Sequence, residues 1–405
     1  MGGGGFTHLH AVSGFSLRYG AGHAADLAER AAERGMDALA LTDRDTVAGV
    51  VRFAKACAQA GVRPIFGAGL AVPGFDEAEQ RAAARRRTPV RGGAFVDESA
   101  PRAVFLARNG EGWAALCRMI SAAHRAAPGH GPAGHSPGAV RPAGGPGPRL
   151  DRDELADRGL FVLLGPESEV GRALAAGRPD RAARLIAPWR EVYGDALRLE
   201  AVCHDRQGAG PGSLRLAART LGFAADQGVT AVLSNAVRYP DPDRSEVADI
   251  LDAARRLVPV DTRRPERLDS GERWLKGAAD MARLAERIAE SAGQGRAGAH
   301  RLLRATEETA AACAVDPRDD LGIGRPRFPE AALLDGSGRT ADRILHARCT
   351  AGMVREGYDR RPQYWQRLEE ELRVIRQLHF APYFLTVGQV VEDVRKMRVR
   401  VAARG

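Results

Sequence analysis

Two histidines carry the first hint of chemistry in this chain. His8 and His10 lie in Phe6-Thr7-His8-Leu9-His10-Ala11-Val12-Ser13, directly behind the glycines at 2–5. Their alternation with apolar residues is a strand pattern, and residues two apart on a strand share a face. Both imidazoles would then reach one metal ion. The same pair also reads as a buried strand whose histidines are satisfied by hydrogen bonds.

Such a pair needs elements to hold it, and the next sixty residues supply them. Residues 24–34 place Leu27, Ala31 and Ala32 at helical spacing before Gly35. An apolar run, Met36–Leu41, ends in Thr42-Asp43-Arg44-Asp45, and a helix over 46–60 stops at Gly61. The run Val62–Phe66 then ends in Gly67-Ala68-Gly69. Strand and helix alternate, with polar residues at the C-terminal end of each strand, the edge where parallel α/β folds gather their chemistry.

The stretches HLHAVSGFSLRYGA and GMDALALTDRDTVAGVVRFAKACAQAGVRPIFGAGL resemble the start of the PHP (polymerase and histidinol phosphatase) domain of bacterial DnaE-type DNA polymerase III alpha subunits. The resemblance is strongest to the error-prone branch. It extends through RAVFLARNGEGWAALCRMISAAH and reappears in EELRVIRQLHFAPYFLTVGQVVEDVRKM, which is similar to the entry into the polymerase palm. It implies an α/β fold, a distorted seven-stranded β/α barrel, followed by a mainly α-helical region. The expected division is 1–242 for the barrel and 243–405 for the helical region. The barrel would carry a surface insertion at 73–101 and a Gly/Pro-rich flexible segment at 127–148.

PHP phosphoesterases hold divalent metals through His, Asp and Glu, and the resemblance transfers those positions one at a time. His10 matches a ligand, Val12 replaces its partner, and His8 lies on the same face. The usual TDH reads Thr42-Asp43-Arg44, the glutamate of GAEL becomes Gly69, and a strand histidine becomes Arg102. His204 remains, while Asn-Asp-Val-His reads Asn235-Ala236-Val237-Arg238. The residual set is His8, His10, Asp43 and His204, too small for a multinuclear centre. It leaves room for at most one weakly held manganese, zinc or magnesium ion. Arg44, Arg102 and Arg238 would repel cations and take over their charge if they point inward, with Asp43 and Asp205 the nearest anions by motif. Alternatively, the cleft binds phosphate through arginine alone.

Composition agrees with a nucleic-acid partner. The formal net charge is +9 and the pI about 9.8, almost entirely from arginine, since only Lys55, Lys276 and Lys396 are lysines. A solvated basic surface gives the same numbers. Arg85, Arg86 and Arg87 would sit on the insertion, and His130 and His135 in the flexible segment. The five cysteines show no CxxC spacing and read as reduced core thiols of a cytoplasmic protein. No apolar run approaches a membrane span, and no signal peptide precedes the first strand.

Further strands are expected at 102–108, 159–164, 197–202 and 230–233, and helices at 112–126, 168–176, 179–193 and 213–227. Later helices are expected at 246–257, 276–292, 298–313, 340–357 and 363–378. An alternating, strand-like pattern begins at Met397–Val401 beside Arg395, Lys396 and Arg398, which would meet phosphates in a palm. The palm's metal-binding aspartates do not appear before Gly405, so the sequence reads as an N-terminal piece that does not polymerise DNA by itself. Its expected partners are DNA and other replisome or translesion subunits, with no membrane. The competing readings are a free-standing PHP-type phosphoesterase and a non-catalytic DNA-binding or assembly module.

Overall fold

In the computed structural model, the described residues are 5–74, 100–126, 148–155, 158–264, 266, 268–325, 328 and 338–402. Most of the expected insertion and flexible segment, with Arg85, Arg86, Arg87, His130 and His135, lies outside them. Two compact units divide between Ile323 and Gly324. The helices after residue 242 therefore belong in large part with the barrel, because they pack on it rather than apart from it.

Among the described residues, six strands form one sheet in chain order: β1 (Ala38–Leu41), β2 (Arg63–Ala71), β3 (Arg102–Ala107), β4 (Leu160–Leu164), β5 (Leu197–Val202) and β6 (Thr230–Ser234). Seven were expected. The segment holding His8 and His10 makes one bridge to each neighbour instead of a continued ladder. It pairs through His8 with Leu39 and through Ala11 with Val237. The backbone bonds Ala40 N to His8 O (2.9 Å) and Val12 N to Val237 O (3.0 Å) tie it to both sides.

β1 and β2 are parallel, as are β4 with β5 and β5 with β6. β3 runs antiparallel to both its neighbours. This reversal positions the site. The parallel strands bring their C-terminal ends to one edge, whereas β3 brings its first residue, Arg102, to that same edge.

The helices form where apolar residues recur at helical spacing. In α1 (Ala24–Glu33) the buried residues are Ala24, Leu27, Ala28 and Ala31. α2 (Val50–Ala60) buries Phe53, Ala54 and Cys57 and ends at Gly61 (φ 71°), a left-handed position that glycine adopts without a Cβ clash. α3 (Gly110–Ala126), α4 (Glu169–Ala175), α5 (Pro179–Tyr193) and α6 (Leu214–Gln227) come after the later strands. Ser213 caps α6 by accepting from Leu216 N at 3.2 Å, an interaction that contributes about 1 kcal/mol. α7 (Ser245–Arg256), α8 (Ala278–Ser291) and α9 (Gly295–Ala311) complete the first unit. α9 lies on β6, where Thr306 Oγ1 accepts from Leu233 N at 2.8 Å.

The second unit holds α10 (Ala341–Arg355), α11 (Pro362–Gln377) and α12 (Ala381–Lys396) around Ile344, Leu345, Leu372, Ala381 and Leu385. Met397–Val401 forms no strand; helix α12 gives way to a turn at Arg398. No strand partner is present among the described residues to pair with it. No described helix is long and apolar enough to cross a membrane.

Candidate functional site

The strand ends converge on a cavity of about 130 Å3. β1 delivers Thr42 and Arg44 to it, β3 delivers Arg102, and β4 delivers Glu167. β5 supplies Glu200 and His204, and Ala236 comes after β6. His10 comes from the bridging segment. Arg273 arrives by another route: residues 237–239 run beside 273–275, with Arg238 N donating to Arg273 O at 2.8 Å.

The two leading histidines turn to different partners. His8 is fully buried, and its Nε2–H donates to Lys276 O at 2.8 Å. Burial pushes its pKa down to about 4, so the ring is neutral. His10 instead faces the cavity and donates from Nδ1 to Glu200 Oε1 at 2.7 Å. Gly165 makes this possible, since a Cβ there would collide with Glu200 Oε2.

Asp43 is turned away from ligation. It accepts from Ser13 N (2.7 Å), Ser13 Oγ (2.9 Å) and Ser16 Oγ (2.6 Å), closing the loop after the bridging segment. Burial raises its pKa against the pull of those bonds. His204 donates from Nε2 to Asn235 O at 2.8 Å. Burial, and then the Arg273 charge, holds its pKa well below the ordinary histidine range.

The arginines find anions, but not Asp43 or Asp205. Arg44 Nη2 lies 2.9 Å from both oxygens of Glu167, and its guanidinium carbon is 3.3 Å from the Tyr19 ring centre. Arg102 donates to Asp45 Oδ1 (2.9 Å) and Gly69 O (2.6 Å). Arg238 is only 2% exposed; it bonds Asp252 Oδ1 (2.7 Å), Asp269 Oδ2 (3.4 Å) and Tyr19 O (2.9 Å). It therefore offers little surface to DNA. Asp205 pairs with Arg287 on a more exposed face. Motif spacing pointed to the wrong acids because Glu167, Asp252 and Asp269 reach the arginines only through the tertiary fold.

Tyr19 is the hub of this network. Arg273 Nη2 donates to its hydroxyl at 2.7 Å, and Arg238 lies 4.1 Å from its ring centre. Burial would raise the Tyr19 pKa, but the charges of Arg273 and Arg44 bring it below the usual phenol value. Glu167 behaves alike. Desolvation pushes its carboxyl up, and the charges of Arg44, then Arg273 and Arg102, more than reverse this and hold it at about 2. Its side chain is 48% exposed, so part of that attraction is screened by water.

These side chains do not fit a divalent metal. His8 and Asp43 are engaged in structural hydrogen bonds, Glu167 pairs with Arg44, and Arg44, Arg102 and Arg273 bring fixed positive charge into the cavity. Among the described residues, no three His, Cys, Asp or Glu side chains gather where an ion could be held. Tyr19, Glu167, Glu200 and Arg273 were missed by sequence reasoning. Glu200 alone left a signal there, as the one acid within the apolar strand LRLEAV.

Arg395 and Lys396 end α12, and Arg398 lies just beyond; all three are exposed, with Lys396 Nζ 3.0 Å from Asp393 Oδ1. They lie in the second unit.

The PHP domain family matches residues 8–203, and the bacterial DNA polymerase III alpha NTPase domain matches residues 343–405. An error-prone DNA polymerase from Mycolicibacterium paratuberculosis is 30% identical over 99% of this chain and 33% of its own length. One from Symbiobacterium thermophilum is 31% identical over 99% of this chain and 33% of its own. DNA polymerase III subunit alpha of Escherichia coli K12 is 27% identical over 96% and 30%. The chain spans about a third of the length of these curated relatives.

Proposed function

Because this chain belongs with the bacterial DNA polymerase III alpha subunits, joining a PHP domain to an alpha NTPase segment, we propose that it forms the N-terminal third of an error-prone-type alpha subunit whose PHP domain is structural. The barrel in this reading supports a polymerase core and hydrolyses nothing. The observation that carries it is the replacement of metal charge by arginine: Glu167 faces Arg44, and Asp45 faces Arg102. Metal-assisted hydrolysis needs a cation to activate water and clamp phosphate, and fixed guanidiniums do the second without the first. Nucleotidyl transfer in this reading belongs to palm carboxylates outside residues 1–405. In this reading the helical region expected after residue 242 begins with helices packed on the barrel up to Ile323, and the unit after it leads towards the core.

The test is direct. The purified chain is expected to carry no stoichiometric manganese, zinc or magnesium. It is also expected to release nothing from p-nitrophenyl phosphate or a single-stranded DNA 3′ end when these ions are added. Turnover that disappears in His10→Ala overturns the proposal.

The exposed Arg395, Lys396 and Arg398 support DNA as a partner of the second unit, in the cytoplasm with other replication or translesion subunits. Replacing all three by alanine is expected to reduce the slope of log affinity against log salt for primer-template binding by roughly 0.9 for each phosphate no longer neutralised. An unchanged slope removes these residues from the interface.

A further inference from the structure

The turn between α10 and α11 sets an exposed aromatic ring beside two arginines. Tyr358 is 51% exposed, although a ring left in water forgoes the gain of burial. It meets the Tyr364 ring at 66°, with 5.3 Å between centres, so this neighbour covers at most one of its faces. Arg361 lies 5.6 Å from the Tyr364 ring centre and donates from Nη1 to the Tyr364 hydroxyl at 3.2 Å. Arg360 and Arg361 are both exposed. The turn itself is held from several sides. Gly357 takes a left-handed φ of 71° after α10, and Tyr358 N donates to Met353 O at 2.9 Å. Trp365 Nε1 donates to Asp359 O at 2.9 Å, and Pro362 opens α11 with its φ already fixed. The ring is therefore presented in a set place, and little ordering entropy remains to be lost on binding.

We infer that this turn is a stacking platform for single-stranded DNA, with one base on the open face of Tyr358 and the flanking phosphates at Arg360 and Arg361. Stacking on an aromatic ring accepts any base, because each has a π face. A duplex keeps those faces inside its own stack, whereas a single strand offers them. Charge favours the same occupant but does not carry the inference. Arg355 faces Glu356 at 3.0 Å, Arg367 faces Glu371 at 2.9 Å, and Asp359 precedes Arg360 in the chain. The ring, rather than net charge, thus sets the strength of binding. The inference rests on the reading of the second unit as one that meets DNA, and adds to it the kind of strand and the contact.

Fluorescence anisotropy with the full chain tests it. The probes are a labelled oligothymidylate of about ten nucleotides, the same strand with abasic sugars, and a primer-template. The oligothymidylate is expected to bind about tenfold more tightly than the abasic strand, the worth of one stacked base. Tyr358→Ala is expected to erase that difference, and Tyr358→Phe to keep it. Arg360→Gln is expected to weaken both strands alike and to reduce the slope of log affinity against log salt by about 0.7. Equal affinity of the unmutated chain for the normal and abasic strands overturns the inference, whatever the variants do. So does tighter binding of an oligouridylate or of an oligoglutamate peptide. In each of these cases, primer-template binding that still depends on Arg395, Lys396 and Arg398 leaves DNA standing as a partner of the second unit. A chain that binds no nucleic acid overturns both readings.

Discussion

The guanidinium of Arg44 sits over Tyr19 with its central carbon 3.3 Å from the ring centre, while its Nη2 holds both oxygens of Glu167. One arginine thus joins a phenol from the loop before α1 to a carboxylate from the end of β4. The cleft is organised by charge pairs of this kind.

Arg238 and Asp269 give the first prediction. Both are almost wholly buried, at 2% and 1% exposure. Asp269→Ala removes one carboxylate from a buried guanidinium and also the acceptor of the Tyr239 hydroxyl, 2.6 Å away. Breaking such a pair from one side is expected to cost about 3 kcal/mol, read from the midpoint of urea unfolding. A change within half a kcal/mol would show that Asp252 alone satisfies Arg238.

His8 sets a pH dependence. Its pKa is lowered from the ordinary histidine value to about 4 by burial. Below pH 6.5 the unfolded chain takes up a proton that the folded chain refuses, so stability falls with pH from 6.5 down to about 4 and then levels. The full effect is roughly 3 kcal/mol. His8→Gln keeps a donor for Lys276 O without the titration, and its stability curve is expected to be flatter over that range. An unchanged acid limb would assign the titration elsewhere, with His204 the first suspect.

Gly165→Ala tests the support of the His10 contact. The added methyl would collide with Glu200 Oε2 and must displace that carboxylate. Overpacking of this kind costs about 1–3 kcal/mol. The His10 ring resonances are expected to move in the NMR spectrum along with a fall in melting temperature. Unmoved resonances would mean that Glu200 does not hold the ring.

Gly69→Glu restores a carboxylate at a position where one is expected in metal-binding relatives by sequence resemblance. The space exists, because a Cβ would meet only Thr42 O, at 3.7 Å. The variant is expected to fold with stability within about 1 kcal/mol of the parent and still bind no manganese, because Arg102 and Arg44 remain. Manganese uptake at one ion per chain would show that the single missing acid, not the arginines, excludes metal.

Much of the scaffold was legible because periodicity is local. The strand at 197–202 and the helix at 179–193 fall where the pattern put them, and α1 ends within a residue of its expected stop. The direction of β3 was not legible. Alternating apolar residues look alike in either sense, and only the pairing with β2 and β4, such as Gly69 with Val104, fixes it. The site was half legible. His10, Arg44 and Arg102, which the motifs singled out, stand in the cavity wall. Asp43 does not, because three nearby donors from Ser13 and Ser16 capture it first. Tyr19 and Arg273 carry no motif; they meet only because the chain after β6 doubles back along residues 273–275.

The bridging segment also has a cost in time. Ala11 is made more than two hundred residues ahead of its partner Val237. At ordinary synthesis speeds of 5–20 residues per second, that is a wait of about ten to fifty seconds. Until then His8 can pair with Leu39 but the opposite side of the segment has nothing to hold. The bridging segment therefore docks once early and once late, and a nascent chain arrested before residue 237 would present it half-fastened to proteases and chaperones.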